Sequence, residues 1–312
     1  MRPTYAPLST RSSICLLQIE TVNQGSILAT LFTTELDSVP LYDALSYTWG
    51  CPLSPYLPSK KGKEAVAQQT IFLEYRGQSQ RLYITPNLKD ALIALQTINL
   101  APLSTQRCAY LWVDAICINQ SDLDEKAVQV RLMKNIYRQA SKVLAWLGPE
   151  DEATSHVFEV IDNLSKFGPE KYKAVTPEDV GRPQIYVEKL GIQALNYRHW
   201  LSWVAFVHRP YFKRVWIVQE NILAQDLIVV CGERVLPWTA MLSTFNFLYY
   251  SGWRINLYIG QMGINNILPP RSELGIFAKL VESRIDSGAG AHQLFHGRKG
   301  TLVAGKQWPL EN

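Results

Sequence analysis

Residues 110–149 read YLWVDAICINQSDLDEKAVQVRLMKNIYRQASKVLAWLGP, and their periodicity decides the fold class. Tyr110–Val113 is a short apolar run ending at Asp114, which is the pattern of a buried strand. Ala115–Gln120 then predicts a loop. Ser121 with Asp124 resembles a capping box in which Asp replaces the usual Glu, and Ala127, Val130, Met133, Ile136 and Ala140 recur at helical spacing. A helix to about Ser141 follows. Val143–Leu147 is a second apolar strand, stopped by Gly148-Pro149.

Upstream the same alternation continues. Ile14–Glu20 and Ser26–Thr33, separated by Asn-Gln-Gly, predict a β-hairpin, and Tyr42–Tyr47, Ile71–Tyr75 and Arg81–Ile84 predict three more strands. Thr85-Pro86 sets a capping hydroxyl before a proline at the first helical position, with Leu88, Ala91, Leu92 and Leu95 on one face. Strand, helix, strand, helix, strand from Arg81 to Leu147 predicts crossovers and a mainly parallel sheet in an α/β domain. Residues 51–69 collect prolines, serines and Lys60-Lys61-Gly62-Lys63, as an exposed loop insertion would. Downstream, Ser155–Leu164 and Ile192–Val207 predict helices, Asp226–Cys231 a strand, and the part from Trp238 onward a helical extension.

Composition narrows the class. A chain of 312 residues that is 47% hydrophobic can bury a large core, and a formal charge of +4 is too small to argue for a nucleic-acid groove. Only the local run Lys60–Lys63 points that way. Cys15, Cys51, Cys108, Cys117 and Cys231 form no CxxC pair, as expected where thiols stay reduced, so the expected setting is the cytoplasm or the nucleus. The apolar stretch Ile14–Leu17 is broken by Gln18 and Glu20 before signal-peptide length, and Trp200–Val207 is far shorter than a membrane span. No membrane association is expected. Five single histidines offer no zinc spacing, so no metal is expected. Gly288-Ala289-Gly290 opens like a dinucleotide fingerprint, but Gln293 replaces the third glycine; no phosphate loop, GxSxG elbow or HExxH is found.

Ligands of open parallel sheets gather beyond the carboxyl ends of the strands. Two segments meet that condition: Thr48-Trp49-Gly50, and Asp114 through Gln120. They offer an aromatic face, a glycine, a carboxylate, the Cys117 thiol and the amides of Asn119 and Gln120. Equally, Trp49 caps a core and Asp114 and Asn119 satisfy loop backbone. Cys117 is either a thiolate nucleophile before a helix or a packed core residue. In the block Arg209–Glu220, Glu220 lies four residues after Trp216 on a face that also carries Lys213. That carboxylate is either tuned by an apolar setting or paired with Lys213 in solvent.

Three blocks together resemble the heterokaryon-incompatibility (HET) domain of filamentous fungi: Tyr42-Asp43-Ala44-Leu45-Ser46-Tyr47-Thr48-Trp49-Gly50, Leu111 through Gln120, and Val143-Leu144-Ala145-Trp146-Leu147-Gly148. Thr85-Pro86-Asn87-Leu88 and Arg209–Glu220 resemble further family blocks. The resemblance covers residues 14–232 and leaves 233–312 as a C-terminal extension, where His296–Thr301 resembles the start of a further family segment. It implies fungal nonself recognition leading to regulated cell death, and partners that are other copies of the chain or other incompatibility proteins. The domain is itself similar to the Toll/interleukin-receptor (TIR) fold, a three-layer α/β core, and some members of that group cleave NAD. That likeness implies NAD as a substrate rather than a bound cofactor, with Glu220 as the catalytic carboxylate. Together with the two segments at the strand ends, the expected binding cleft is Ser46, Trp49, Gly50, Asp114, Cys117, Asn119, Gln120 and Trp216. The alternative the likeness leaves open is a noncatalytic adaptor that self-associates through exposed aromatics such as Tyr211 and Phe212.

Overall fold

The computed structural model describes residues 5–54, 68–103 and 105–254. Lys60–Lys63, most of the 51–69 insertion and the segment beyond Arg254 lie outside them. The hairpin forms as expected: β1 (Ser13–Asn23) and β2 (Ser26–Glu35) are antiparallel. Their two-residue turn has positive φ at Gln24 and Gly25, the primed-turn geometry that matches strand twist. The same device at Arg76-Gly77 joins β4 (Gln69–Tyr75) to β5 (Gln78–Ile84). Between these hairpins in the sequence comes β3 (Tyr42–Tyr47).

Helix α1 (Pro86–Thr97) begins where the Thr85-Pro86 pair predicts, with the Thr85 hydroxyl accepting from the Leu88 N–H. Strand β6 (Tyr110–Trp112) follows. Two local expectations need correction. The segment after Asp114 is not all loop, because Asp114–Cys117 closes one helical turn, α2. The cap of α3 (Leu123–Gln139) is Asp122, whose carboxylate accepts from the N–H groups of Asp124 and Glu125, rather than Ser121. Then come β7 (Lys142–Trp146), α4 (Thr154–Leu164), α5 (Pro169–Ala174) and the three-residue α6 (Pro183–Ile185). Helix α7 (Tyr197–Val207) starts five residues later than expected, at an Asn196 cap. The described residues finish with α8 (Trp216–Leu223), β8 (Leu227–Cys231), β9 (Arg234–Pro237) and α9 (Trp238–Tyr250).

Among the described residues these strands form one nine-stranded sheet, ordered β5-β4-β2-β1-β6-β3-β7-β8-β9. The expected mainly parallel sheet is corrected to a mixed one. The run β6-β3-β7-β8 is parallel, but β1 pairs antiparallel with both β2 and β6, and β4–β5 and β8–β9 are antiparallel too. For β1–β2, β4–β5 and β8–β9 the reason is hairpin connectivity, because two-residue turns return the chain at once, whereas only longer connections allow parallel pairing. Every residue of β3, β7 and β8 is buried, so both faces of the sheet centre are covered. β4 and β5, at one edge, alternate instead.

Two buried ion pairs tie this frame together. Asp43 of β3 meets Lys142 of β7 at 3.0 Å, and Arg209 meets Asp151 at 2.6 Å. Among the described residues no helix is long and apolar enough to cross a membrane, and no three His, Cys, Asp or Glu side chains gather as a metal-binding group.

Candidate functional site

Beyond the carboxyl ends of β3 and β6, between α3 and α8, lies a cavity of about 400 Å³. The turn after β3 supplies Thr48, Trp49 and Gly50. Asp114, Ile118 and Gln120 come from the segment after β6, Lys126, Val130 and Met133 from α3, and Arg214, Trp216 and Glu220 from the approach to α8 and α8 itself. The turn and the Asp114–Gln120 segment, 65 residues apart in sequence, are joined directly: the Trp49 indole N–H donates to Asp114 at 3.1 Å. A second tether holds the turn from behind, where Trp146 Nε1 donates to Asn87 Oδ1 and Asn87 Nδ2 donates to the Thr48 carbonyl. The asparagine in the Thr85–Leu88 block thus positions Trp49.

Glu220 forms the bottom of the cavity, only 1% exposed. The Ser46 hydroxyl donates to its Oε2, and the Tyr211 hydroxyl lies 2.9 Å from Ser46 Oγ and donates to Asn221. Arg214 Nη2 approaches the other carboxylate oxygen at 3.4 Å. Burial pushes the Glu220 carboxyl up to about 7, against the lowering pull of Arg214 and the Ser46 hydrogen bond. Asp114 is raised for the same reason, with Arg214, the Trp49 indole and the Ala115 N–H pulling the other way. Above these carboxyls stand Trp49 and Trp216, 46% and 53% exposed. A buried acid near neutrality under two open aromatic faces can stabilise positive charge developing on a bound ligand.

Of the residues read from sequence, Trp49, Gly50, Asp114, Gln120, Trp216 and Glu220 therefore meet at one cavity, with Ser46 one hydrogen bond behind it. Two do not. Cys117 is buried at the end of α2, accepts from the Val113 N–H, and is held well above the ordinary thiol range by burial, so it packs and is no thiolate. Asn119 spends its side-chain oxygen on the Ser121 N–H, ordering the turn into α3 instead of lining the cavity.

Other corrections follow from burial. The ion-pair partner of Glu220 is Arg214 rather than Lys213, because α8 starts only at Trp216 and Lys213 belongs to the preceding 3₁₀ turn. Tyr211 and Phe212 are core residues, not exposed contact anchors. Arg214 and Lys126 also line the cavity, beyond the residues expected from sequence. Lys126 was within reach, since it stands four and seven residues before Val130 and Met133 on the face of α3 that the apolar periodicity marks.

The state of Glu220 sets a pH dependence of stability. The folded chain holds this proton up to about pH 7, whereas the ordinary value is 4.5. The folded state binds the proton more tightly, so stability falls as pH rises from about 4.5 to 7 and the cost persists above 7. The interval corresponds to about 3 kcal/mol. Glu220→Gln is accordingly expected to stabilise the protein by about 2–3 kcal/mol at pH 8 and by little at pH 5, read as Tm at the two pH values. An equal Tm difference at both would exclude a buried titrating carboxyl.

A family model described as "Heterokaryon incompatibility protein (HET)" matches residues 42–220, a span that begins at β3 and closes on the cavity carboxylate. Among curated proteins, heterokaryon incompatibility protein 6, OR allele, of Neurospora crassa is 29% identical over 238 residues, which is 70% of this chain and 32% of that protein. The chain thus spans about a third of the length of the relative it matches. No solved structure matches it.

Proposed function

This chain belongs to the heterokaryon incompatibility (HET) family, and from that premise we propose that it acts in fungal nonself recognition by cleaving NAD in the cavity beneath Trp49 and Trp216, leading to regulated cell death. The observation that carries this reading is the Glu220 carboxyl at the bottom of the cavity, buried, oriented by Ser46 and poised near neutrality. A TIR-like core is part of the proposal. Ser46-Tyr47 closes β3 and Trp216-x-x-x-Glu220 opens α8, in the order the TIR likeness implies.

In the proposed reaction the bond from ribose C1′ to the pyridinium nitrogen breaks with its electron pair passing to nitrogen, and neutral nicotinamide leaves. The Glu220 carboxylate holds the ribose hydroxyls and stabilises the cationic ribosyl centre as it forms. Water then bonds to C1′ and releases a proton to solvent. The tryptophans give the flat ring an apolar wall. Self-association, or contact with other incompatibility proteins, is the proposed route of activation.

The test is nicotinamide release from NAD by the purified, self-associated protein. Glu220→Gln is expected to lower the rate about 100-fold or more, the scale on which one electrostatic stabiliser acts. Because the carboxylate is the working form, the native rate should rise with pH through about 7. Equal turnover by the variant would remove Glu220 from the chemistry.

A further inference from the structure

Two cations of the cavity keep donors that its own hydrogen bonds do not use. Arg214 directs Nη2 at Glu220, but its Nη1 is buried without a hydrogen-bond partner among the described residues. Asp114 does not take it up. One of its oxygens accepts from the Trp49 indole and the other from the Ala115 N–H. Lys126 lines the same cavity from α3, and its ammonium has no ion-pair partner among the described residues. Of the acids near it on the helix, Asp122 caps α3 and Glu125 accepts from the Asn119 N–H, while Asp124 is exposed.

The Arg214 side chain is 20% exposed and lines the cavity, so an acceptor entering there and shifting the guanidinium recovers the free energy that its unpaired N–H loses by burial. An ammonium on the same wall, with no ion pair among the described residues, attracts an anion more strongly than a neutral group. The two open tryptophan faces attract a flat ring instead. A ligand satisfying both is a ring joined to an anion.

We infer that Lys126 and Arg214 form a phosphate subsite, so that the cavity takes a phosphorylated nucleotide, its ring on Trp49 and Trp216 and its phosphate against the two cations. This rests on the NAD-cleavage reading for the identity of the ring and adds to it the group that anchors the rest of the molecule. Lys126 is here a binding residue and has no part in breaking the bond.

The experiment compares nicotinamide mononucleotide with nicotinamide riboside, which differ by one phosphate, by calorimetric titration into Glu220→Gln protein at low salt. The mononucleotide is expected to bind about tenfold more tightly, with an advantage that shrinks as salt is added. Adding Lys126→Gln should remove most of that advantage and leave riboside affinity unchanged, which also shows that the variant is folded. Equal affinity for the two ligands, an advantage untouched by Lys126→Gln, or no binding of either would each overturn the subsite. The hydrolase reading fails separately. If the phosphate advantage depends on Lys126 while native protein releases no nicotinamide, the subsite stands and the chemistry falls; if release depends on Glu220 while both ligands bind alike, the reverse holds.

Discussion

Replacing Lys142 by methionine is expected to destabilise the protein by about 3–5 kcal/mol, because it strands a buried carboxylate. Asp43 is fully buried, and its two oxygens are taken by the Lys142 ammonium at 3.0 Å and the Cys108 N–H at 2.9 Å. Lys142 also donates to the Gln106 carbonyl, so the variant loses two partners at once. Asp43 and Lys142 face each other in the parallel β3–β7 register, at the end of the strands away from the cavity. Unfolding by urea should show the loss as a lower midpoint with unchanged slope. Removing the charge as well, in Asp43→Leu with Lys142→Met, is expected to recover part of it, since an apolar pair avoids the desolvation of two charges. A single Lys142→Met variant as stable as the native chain would show that the pair carries no such weight.

The second large effect is at Arg209, which is 1% exposed. Its guanidinium donates to the Leu147 and Pro149 carbonyls and pairs with Asp151, clamping the loop between β7 and α4. Arg209→Met leaves two carbonyls and a carboxylate without this donor, and about 3–4 kcal/mol of destabilisation is expected. Asp151 keeps the Thr154 hydroxyl and the Ala153 N–H, which holds the figure below that for Lys142. Arg209→Lys should rescue only part, because one ammonium cannot reproduce a planar fork bonded to three acceptors. Full rescue by lysine would mean that charge alone matters there. Both substitutions lie in the frame rather than in the cavity, so each separates stability from the chemistry tested through Glu220.

Most local elements were legible because their causes are local. The Thr85-Pro86 start, the 3.6-residue periodicity of α3 and the apolar run of β7 each reflect which face a segment must bury. The errors have local causes of another kind. Ser121 and Asp122 are both good caps, and only the backbone path after α2 selects the second. Tyr211 and Phe212 lie in a mixed stretch whose depth no periodicity reports, and the fold places both in the core.

What the sequence determined by itself was most of the strands and the longer helices, the blocks that mark the family, and the residue types gathered at the ends of β3 and β6. Tertiary structure alone decided the mixed pairing of the sheet, the exclusion of Cys117 and Asn119, and the pairing of Arg214 with Glu220. The physical reason is separation along the chain. Ser46 and Glu220 touch across 174 residues, and the proton affinity of that carboxyl comes from burial and from neighbours that only the folded packing brings within reach.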